Sequence, residues 1–309
     1  MISCGYWEKC GLLYSPQESS RHPKLLTHAA NPIPVSLEGD IYRIFYNGRD
    51  AQNRSSVGAV DVNIVTRQII ADHYEPFFLH GPPGSFYADG LSIGNCYLYS
   101  GVTYMLFMGW RNPANAHWMG EIGRLVLSRS LSLSMDDKEA FFGLNETDPI
   151  SLSYPWVLKQ SDGEFLMWYG STVNWGGEGE EMVHLINFAR SNDGADWRRF
   201  GHISPIEPGV AQAFSRPSVI MTSNQSFEMW YSYRAGNGSS YRIGYASSEC
   251  GQNWKFQPLA GGIGVSASGW DSQMIEYPYV FSHNGCRYML YNGNDYGKTG
   301  FGLAKFIKY

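Results

Sequence analysis

One phrase occurs five times along the chain at a nearly constant step, and that spacing limits what the chain can fold into more than any other feature. The copies are 42–48 (YRIFYNG), 104–109 (YMLFMG), 165–170 (FLMWYG), 227–232 (FEMWYS) and 288–293 (YMLYNG). They begin at Tyr42, Tyr104, Phe165, Phe227 and Tyr288, so the steps are 62, 61, 62 and 61 residues. A fixed period with one β-rich phrase per repeat is the signature of stacked or radial units. Each unit is long enough for a four-stranded sheet, and five such units predict an all-β, five-bladed β-propeller.

A second marker lies 11 residues before each phrase: Asn31-Pro32, Ile93-Gly94, Tyr154-Pro155, Arg216-Pro217 and Tyr277-Pro278. Proline is tolerated where a strand opens, because its missing N–H need not join the ladder. Each marker therefore opens an inner strand, and a short turn such as Asp162-Gly163 or Asn284-Gly285 leads into the aromatic phrase. Asp-Gly and Asn-Gly suit tight hairpins because they accept positive φ. A third strand follows each phrase, at 56–60, 122–126, 185–189, 243–246 and 300–304. Two of these run into corner sequences, 191–197 (SNDGADW) and 248–254 (SECGQNW), whose Trp opens a fourth, outer strand. These corners read as structure, not as sites.

The fifth repeat has no room for its fourth strand after 300–306. At the other end of the chain, 7–13 (WEKCGLL) resembles 197–203 (WRRFGHI). The expectation is a single domain over 1–309, made of an N-terminal segment 1–30 and blades starting near 31, 93, 154, 216 and 277. A strand near 7–14 would join the last blade and close the ring, which removes a sheet edge.

Composition narrows the partners. Net charge is −5 with no basic run, which argues against nucleic acid. No window approaches the roughly 20 apolar residues of a membrane span. The five cysteines are scattered without a C-x-x-C pair, so neither a disulfide framework nor a zinc site is expected. The histidines show no metal spacing, and no cofactor is expected. The N-terminal residues lack a basic segment followed by an apolar core, so a cytoplasmic protein is expected. Oligomeric state is left open.

In a propeller, the starts of inner strands and the loops after second strands open onto one face. The first group contains His28, Asn31, Asp89, Ser92, Tyr154, Arg216, Asp271, Glu276 and Tyr277. The second contains Arg49, Asp50, Trp110, Arg111, Asn174, Trp175, Glu178, Glu180, Glu181, Arg234, Asn294 and Asp295. Carboxylates can work as acid, base or nucleophile on a glycosidic bond, and aromatic rings offer sugar C–H faces an apolar platform. Trp175 stands in a glycine-rich stretch that reads as a long loop of the kind that often covers a site.

Five repeats, X-Pro at inner-strand starts and S-x-D-G-x-x-W corners resemble the five-bladed propeller glycosidases: glycoside hydrolase families 32, 43, 62, 68 and 117, and the related family 130 phosphorylases. The stretch 275–288 (IEYPYVFSHNGCRY) is similar to the strand that carries the general acid Glu in families 43 and 32, which implies Glu276 as proton donor. In those families that strand lies in the third blade; here it is in the last, blade three has Tyr154-Pro155, and blade one has Asn31 where they keep an Asp. Asp89, in 87–91 (YADGL), resembles the single essential Asp of family 130, whose phosphate is held by basic residues; Arg49, Arg111 or Arg216 would hold it here.

The resemblance implies a carbohydrate-active enzyme that cleaves or transfers a glycosyl group, acting on an intracellular oligosaccharide or in surface polysaccharide metabolism. Asp89, Glu276 and Asp50 are the expected catalytic carboxylates. Arg49, Arg216, Asn31, Tyr154, Trp110, Trp175 and Tyr277 are the expected substrate contacts. Asp89 and Glu276 are expected to point into one pocket. A phosphorylase or glycosyltransferase, with phosphate as a further partner, and a non-catalytic glycan-binding propeller are the alternatives. Asp89 before Gly90 also suits an ordinary turn, Arg216 a structural ion pair, and Asp50 a solvated loop.

Overall fold

A computed structural model describes residues 5–16, 21–176, 182–207, 209–236 and 238–308. Strand β1 (Gly5–Tyr14) is set apart in sequence from its sheet, and the other nineteen strands follow as antiparallel meanders. The first is β2 (Thr27–Ser36), β3 (Ile41–Arg49), β4 (Ser55–Asn63) and β5 (Gln68–Asp72). Next come β6 (Gly90–Tyr99), β7 (Val102–Arg111), β8 (Met119–Leu127) and β9 (Leu133–Met135). The third holds β10 (Leu152–Lys159), β11 (Phe165–Asn174), β12 (Val183–Ser191) and β13 (Arg198–His202). The fourth holds β14 (Ala213–Met221), β15 (Phe227–Arg234), β16 (Arg242–Ser248) and β17 (Lys255–Gln257). Finally β18 (Glu276–His283), β19 (Cys286–Asn292) and β20 (Phe301–Lys308) pair in turn, and β20 takes β1 as its outer neighbour. Single parallel bridges, Ser55 to Gly90 and His184 to Ala213, tie the first meander to the second and the third to the fourth.

The first strands of the meanders touch in cyclic order: β2 beside β6, β6 beside β10, β10 beside β14, β14 beside β18, and β18 beside β2. Apolar cores fill the spaces between neighbouring sheets. Ile33, Phe45, Leu91 and Phe107 pack between the first two, and Trp7, Trp230, Val280 and Tyr291 between the last two. Each inner sheet is thus covered on both faces, which is why the aromatic phrases are continuous apolar runs and not alternating ones.

The markers are backbone features as well as sequence features. At each one the inner strand loses register with its neighbour, between Ala30 and Ile33, Ile93 and Cys96, Ser153 and Trp156, Ser215 and Ser218, and Glu276 and Tyr279. Such bulges re-aim side chains. The residue before each proline takes positive φ: Asn31 +55°, Tyr154 +37°, Arg216 +45° and Tyr277 +54°. This conformation costs a non-glycine residue about 1–3 kcal/mol and persists only where the surroundings impose it. Ile93-Gly94 has no proline and no such φ. A Cβ on Gly94 would lie 2.3 Å from the Pro155 carbonyl oxygen, so close approach of the third inner strand requires the glycine.

The two S-x-x-G corners are hydrogen-bonded turns. Ser191 Oγ accepts the Gly194 N–H at 2.8 Å, and Ser248 Oγ accepts the Gly251 N–H at 2.9 Å. The Gly251 carbonyl then receives indole N–H groups from Trp168 and Trp254, both at 2.7 Å.

The closing strand is held by Trp7, which is 4% exposed, meets Trp230 and Phe306 edge-on at 5.4 and 5.1 Å, and donates its backbone N–H to Gly262. Trp7→Ala should therefore destabilise the protein by about 3–5 kcal/mol in urea titration. Leu12→Ala on the same strand, at a 37% exposed site, should cost less than about 1 kcal/mol. Equal effects of the two would mean that β1 does not complete the last sheet.

Candidate functional site

A pocket of about 660 Å³ opens where inner strands begin and second strands end. Trp110, Trp118, Trp175, Tyr154, Tyr241, Tyr277 and Tyr296 supply its aromatic wall. Ser92, Ser153, Ser215, Asn53, Asn112, His117 and His184 add polar groups, and Arg49 and Arg234 add charge. Trp175 stacks on His117 at 4.9 Å and meets Trp118 edge-on at 4.7 Å. Tyr154 donates its hydroxyl to that of Tyr277 at 2.9 Å, so two marker residues from different sheets join at the pocket.

The predicted contacts Arg49, Trp110, Tyr154, Trp175 and Tyr277 all line this pocket. Asn31 and Arg216 do not. The Arg216 side chain is sealed from water and donates to the carbonyl oxygens of Ile93 at 2.6 Å and Pro32 at 3.1 Å. Burial pulls its pKa down to about 10, against the opposing pull of Tyr154, Tyr279, Tyr277 and Glu276. Asn31 donates its backbone N–H to Asn292 Oδ1 and its Nδ2 to Asn47 Oδ1. Arg216 thus ties three inner strands together, and Asn31 ties its inner strand to the second strands β3 and β19.

The three predicted carboxylates are dispersed. Asp50 is buried beside Arg54, Lys24 and His80, at 2.9, 3.5 and 3.7 Å, and accepts the backbone N–H groups of Gln52 and Arg54. Burial opposes its ionisation, but the hydrogen bonds and charge of Arg54 outweigh this and hold its pKa below the ordinary value. Asp89 stands one contact behind the wall. Its carboxylate accepts the Asn112 N–H at 2.7 Å, and its backbone N–H bonds to the Trp110 carbonyl. Glu276 is fully buried, and neither carboxyl oxygen has a hydrogen-bond partner. Burial pushes its pKa well above the ordinary range, while Asn292, Arg49, Arg216 and Arg234 pull the other way. Glu178, Glu180 and Glu181 lie outside the described residues. Among the described residues, no carboxylate lines the pocket.

Other rim residues prove structural. Asp271 pairs with Lys9 at 2.6 Å, Arg111 with Glu121 at 3.6 Å, and Asn294 accepts the N–H groups of Gln273 and Met274. The sequence reading gave no role to Tyr241, Trp118, Ser153 or His184. His184 is buried between two hydroxyls, Ser153 Oγ at 2.6 Å from Nε2 and Thr172 Oγ1 at 2.9 Å from Nδ1. Burial, and then the charge of Arg234, lower its pKa to about 4, so it is neutral at physiological pH. Arg234 carried a local signal: Arg49, Arg111 and Arg234 each stand seven residues after the start of an aromatic phrase.

No protein-family model matches the chain. Two proteins of Mycobacterium tuberculosis, "Uncharacterized protein MT1551" of strain CDC 1551 and "Uncharacterized protein Rv1502" of strain H37Rv, are each 39% identical to it over 300 residues. Those alignments cover 96% of this chain and 98% of each relative. The chain belongs to their family. Among solved structures it is similar to one described as a glycoside hydrolase, with TM-score 0.74, 13% identity, and 98% and 92% of the two chains covered. A structure reported under family 130, whose mannoside phosphorylases are said to include hydrolases of β-1,2-mannosidic linkages in Candida mannan, gives TM-score 0.71 and 12% identity over 97% and 93%. Sucrose-6-phosphate hydrolase from Lactobacillus gasseri gives 0.64 and 12% over 95% and 61%. At such identities the likeness is one of fold alone: the chain shares the all-β fold of these three proteins.

Glu276 makes a pH prediction. Its folded pKa lies above the unfolded value of about 4.3, so the native state retains a proton that the unfolded chain releases. Its contribution to stability is full below pH 4 and declines as pH rises towards the folded pKa. Glu276→Gln mimics the protonated acid. The difference in Tm between variant and parent should therefore shift in the variant's favour from pH 4 to pH 8. A difference that does not change with pH would show that Glu276 titrates normally.

Proposed function

We propose that the chain is a five-bladed β-propeller and that it acts on a saccharide as a glycoside hydrolase-like enzyme. The cyclic contact of β2, β6, β10, β14 and β18 supports the blade count. The observation that carries the functional reading is the pocket wall: three tryptophans and four tyrosines interleaved with serine, asparagine and histidine groups. Such a wall stacks on sugar C–H faces and meets hydroxyls with donors and acceptors, and its volume suits a small saccharide.

In this reading Glu276 is the proton donor, because burial keeps it protonated at a pH where free glutamate is ionised. Asp89 is the second carboxylate, and Asp50 shapes the turn that carries Arg49. Hydrogen bonds of catalytic groups in unliganded enzymes are often long and tighten when substrate binds, so apo geometry alone does not dismiss Glu276. The free thiols Cys10, Cys96, Cys250 and Cys286 suit a reducing compartment and hence an intracellular saccharide.

A non-catalytic glycan-binding propeller is the second reading, favoured by the lack of a carboxylate among the described lining residues. The two separate in a screen of aryl glycosides and oligosaccharides, with and without phosphate. Asp89→Asn and Glu276→Gln should each lower turnover about 100- to 10,000-fold while saccharide affinity persists. Calorimetric binding with no turnover by the parent chain would establish the binding protein instead.

A further inference from the structure

We propose that Asn292 is a positioning residue for Glu276, an amide locked by the backbone of Asn31 so that its N–H groups are turned to the carboxyl group. The inference rests on the reading of Glu276 as proton donor. Glu276 opens β18 and Asn292 closes β19, and the two stand directly opposite each other in the antiparallel pair. Opposed residues of such a pair put their side chains on one face, with Cβ atoms about 4.5–5.5 Å apart. Both residues are wholly buried. Asn292 Oδ1 accepts the backbone N–H of Asn31 at 3.1 Å. A backbone N–H meets only the oxygen of an amide. This bond therefore decides which end of Asn292 is which, and it leaves Nδ2, a donor with no acceptor capacity, for the carboxyl group.

The lock is itself held. Asn31 Nδ2 donates to Asn47 Oδ1 at 3.2 Å, and the same oxygen accepts the Ile93 N–H at 2.9 Å. Between β19 and β20, Gly297 closes over the amide: a Cβ there would stand 2.9 Å from Asn292 Nδ2 and 3.0 Å from the Ala29 carbonyl oxygen. Asn292 Nδ2 and both Glu276 oxygens are buried and have no other hydrogen-bond partner among the described residues. A buried donor and a buried acceptor are costly to leave unpaired, so each compensates the other. An amide N–H binds a carboxylate more strongly than a neutral acid and so favours the charged form. That is the direction in which Asn292 pulls, against burial. When Glu276 gives its proton to the departing oxygen, the electron pair of its O–H bond stays on the carboxyl group, and the Nδ2–H bond strengthens as that charge develops. The other groups around the carboxyl are Arg49, Arg216 and Arg234, whose charges also favour the carboxylate, and the hydroxyls of Tyr154, Tyr241 and Tyr277, which burial keeps protonated. All six are unchanged in variants of Asn292, so a difference among those variants belongs to the amide.

The test is an infrared titration of the full chain, read at the C=O band of the protonated carboxyl group that Glu276→Gln removes. In the parent this band should vanish as pH rises, with a midpoint below about pH 10. Asn292→Val and Asn292→Thr have one shape and differ by a hydroxyl. In Asn292→Val the midpoint should rise by about one pH unit or more, and in Asn292→Thr, whose hydroxyl can accept from Asn31 and donate to Glu276, by less. The Asn292 Nδ2 resonance of the unmodified chain should titrate with the same midpoint as the band, which keeps the test open if a variant fails to fold. On a substrate from the glycoside screen, Asn292→Val should lower kcat about tenfold or more with KM little changed, and the basic limb of its pH profile should move up with the band. A folded Asn292→Val with the parent's midpoint overturns the inference. So does a parent band that survives beyond about pH 10, or an Nδ2 resonance that ignores the titration. A midpoint that moves while turnover is absent or unchanged supports the link between Asn292 and Glu276 and removes instead the reading of Glu276 as proton donor.

Discussion

The inner edge of every sheet is the constraint on which the rest of the structure depends. Apart from the single bridges at Gly90 and Ala213, the first strand of each meander has a ladder partner on one side only, so most of its N–H and C=O groups on the other side face the axis without a ladder. Buried backbone groups need partners, and here side chains of neighbouring sheets supply them. Asn292 accepts the Asn31 N–H, Asn47 accepts that of Ile93, and Asn95 takes both the N–H and the carbonyl of Val157. Ser218 and Ser232 accept the N–H groups of Val280 and Tyr277. Arg216 spans the axis and donates to carbonyls on two other inner strands. A buried guanidinium is costly, and these bonds to buried carbonyls return part of that cost.

This edge chemistry also aims the pocket. The marker residue is held in positive φ at four inner strands, but its side chain meets different ends. Asn31 and Arg216 turn into the axial network, whereas Tyr154 and Tyr277 reach the pocket and join through their hydroxyls. One repeat position thus serves cohesion in two sheets and lines the pocket in two others. The strain at Tyr154 and Tyr277 is therefore placed where the surroundings fix it and where a ligand would meet it.

The repeat made the architecture legible. Strand order and the outer strand supplied by residues near Trp7 follow from spacing, because burial between sheets imposes the same apolar phrase each time; the bulges do not, since the X-Pro markers read as strand openings and instead lie inside β2, β10, β14 and β18. The site was less legible because its wall is gathered from distant segments. Arg49, Trp110 and Tyr277 were visible as residues at strand ends facing one side. Tyr241 and His184 were not, since a Tyr or His at the start of a third strand looks like packing until its neighbours are known. Two of the partners of Asp50 are likewise non-local: Lys24 and His80 come from loops that flank other strands, whereas Arg54 is a neighbour in sequence. Position in a repeat tells which face a residue belongs to, but not whether it faces the pocket or the axis behind it.

That distinction matters most for Glu276. A carboxyl in the wall would be solvated and ionised; one residue before Tyr277 in a bulged strand, it is instead withdrawn behind the aromatic surface, with Asn292 and three arginines as its polar surroundings. Burial and the arginines oppose each other. The guanidinium groups favour the carboxylate, yet desolvation dominates and holds the pKa well above the ordinary carboxyl range.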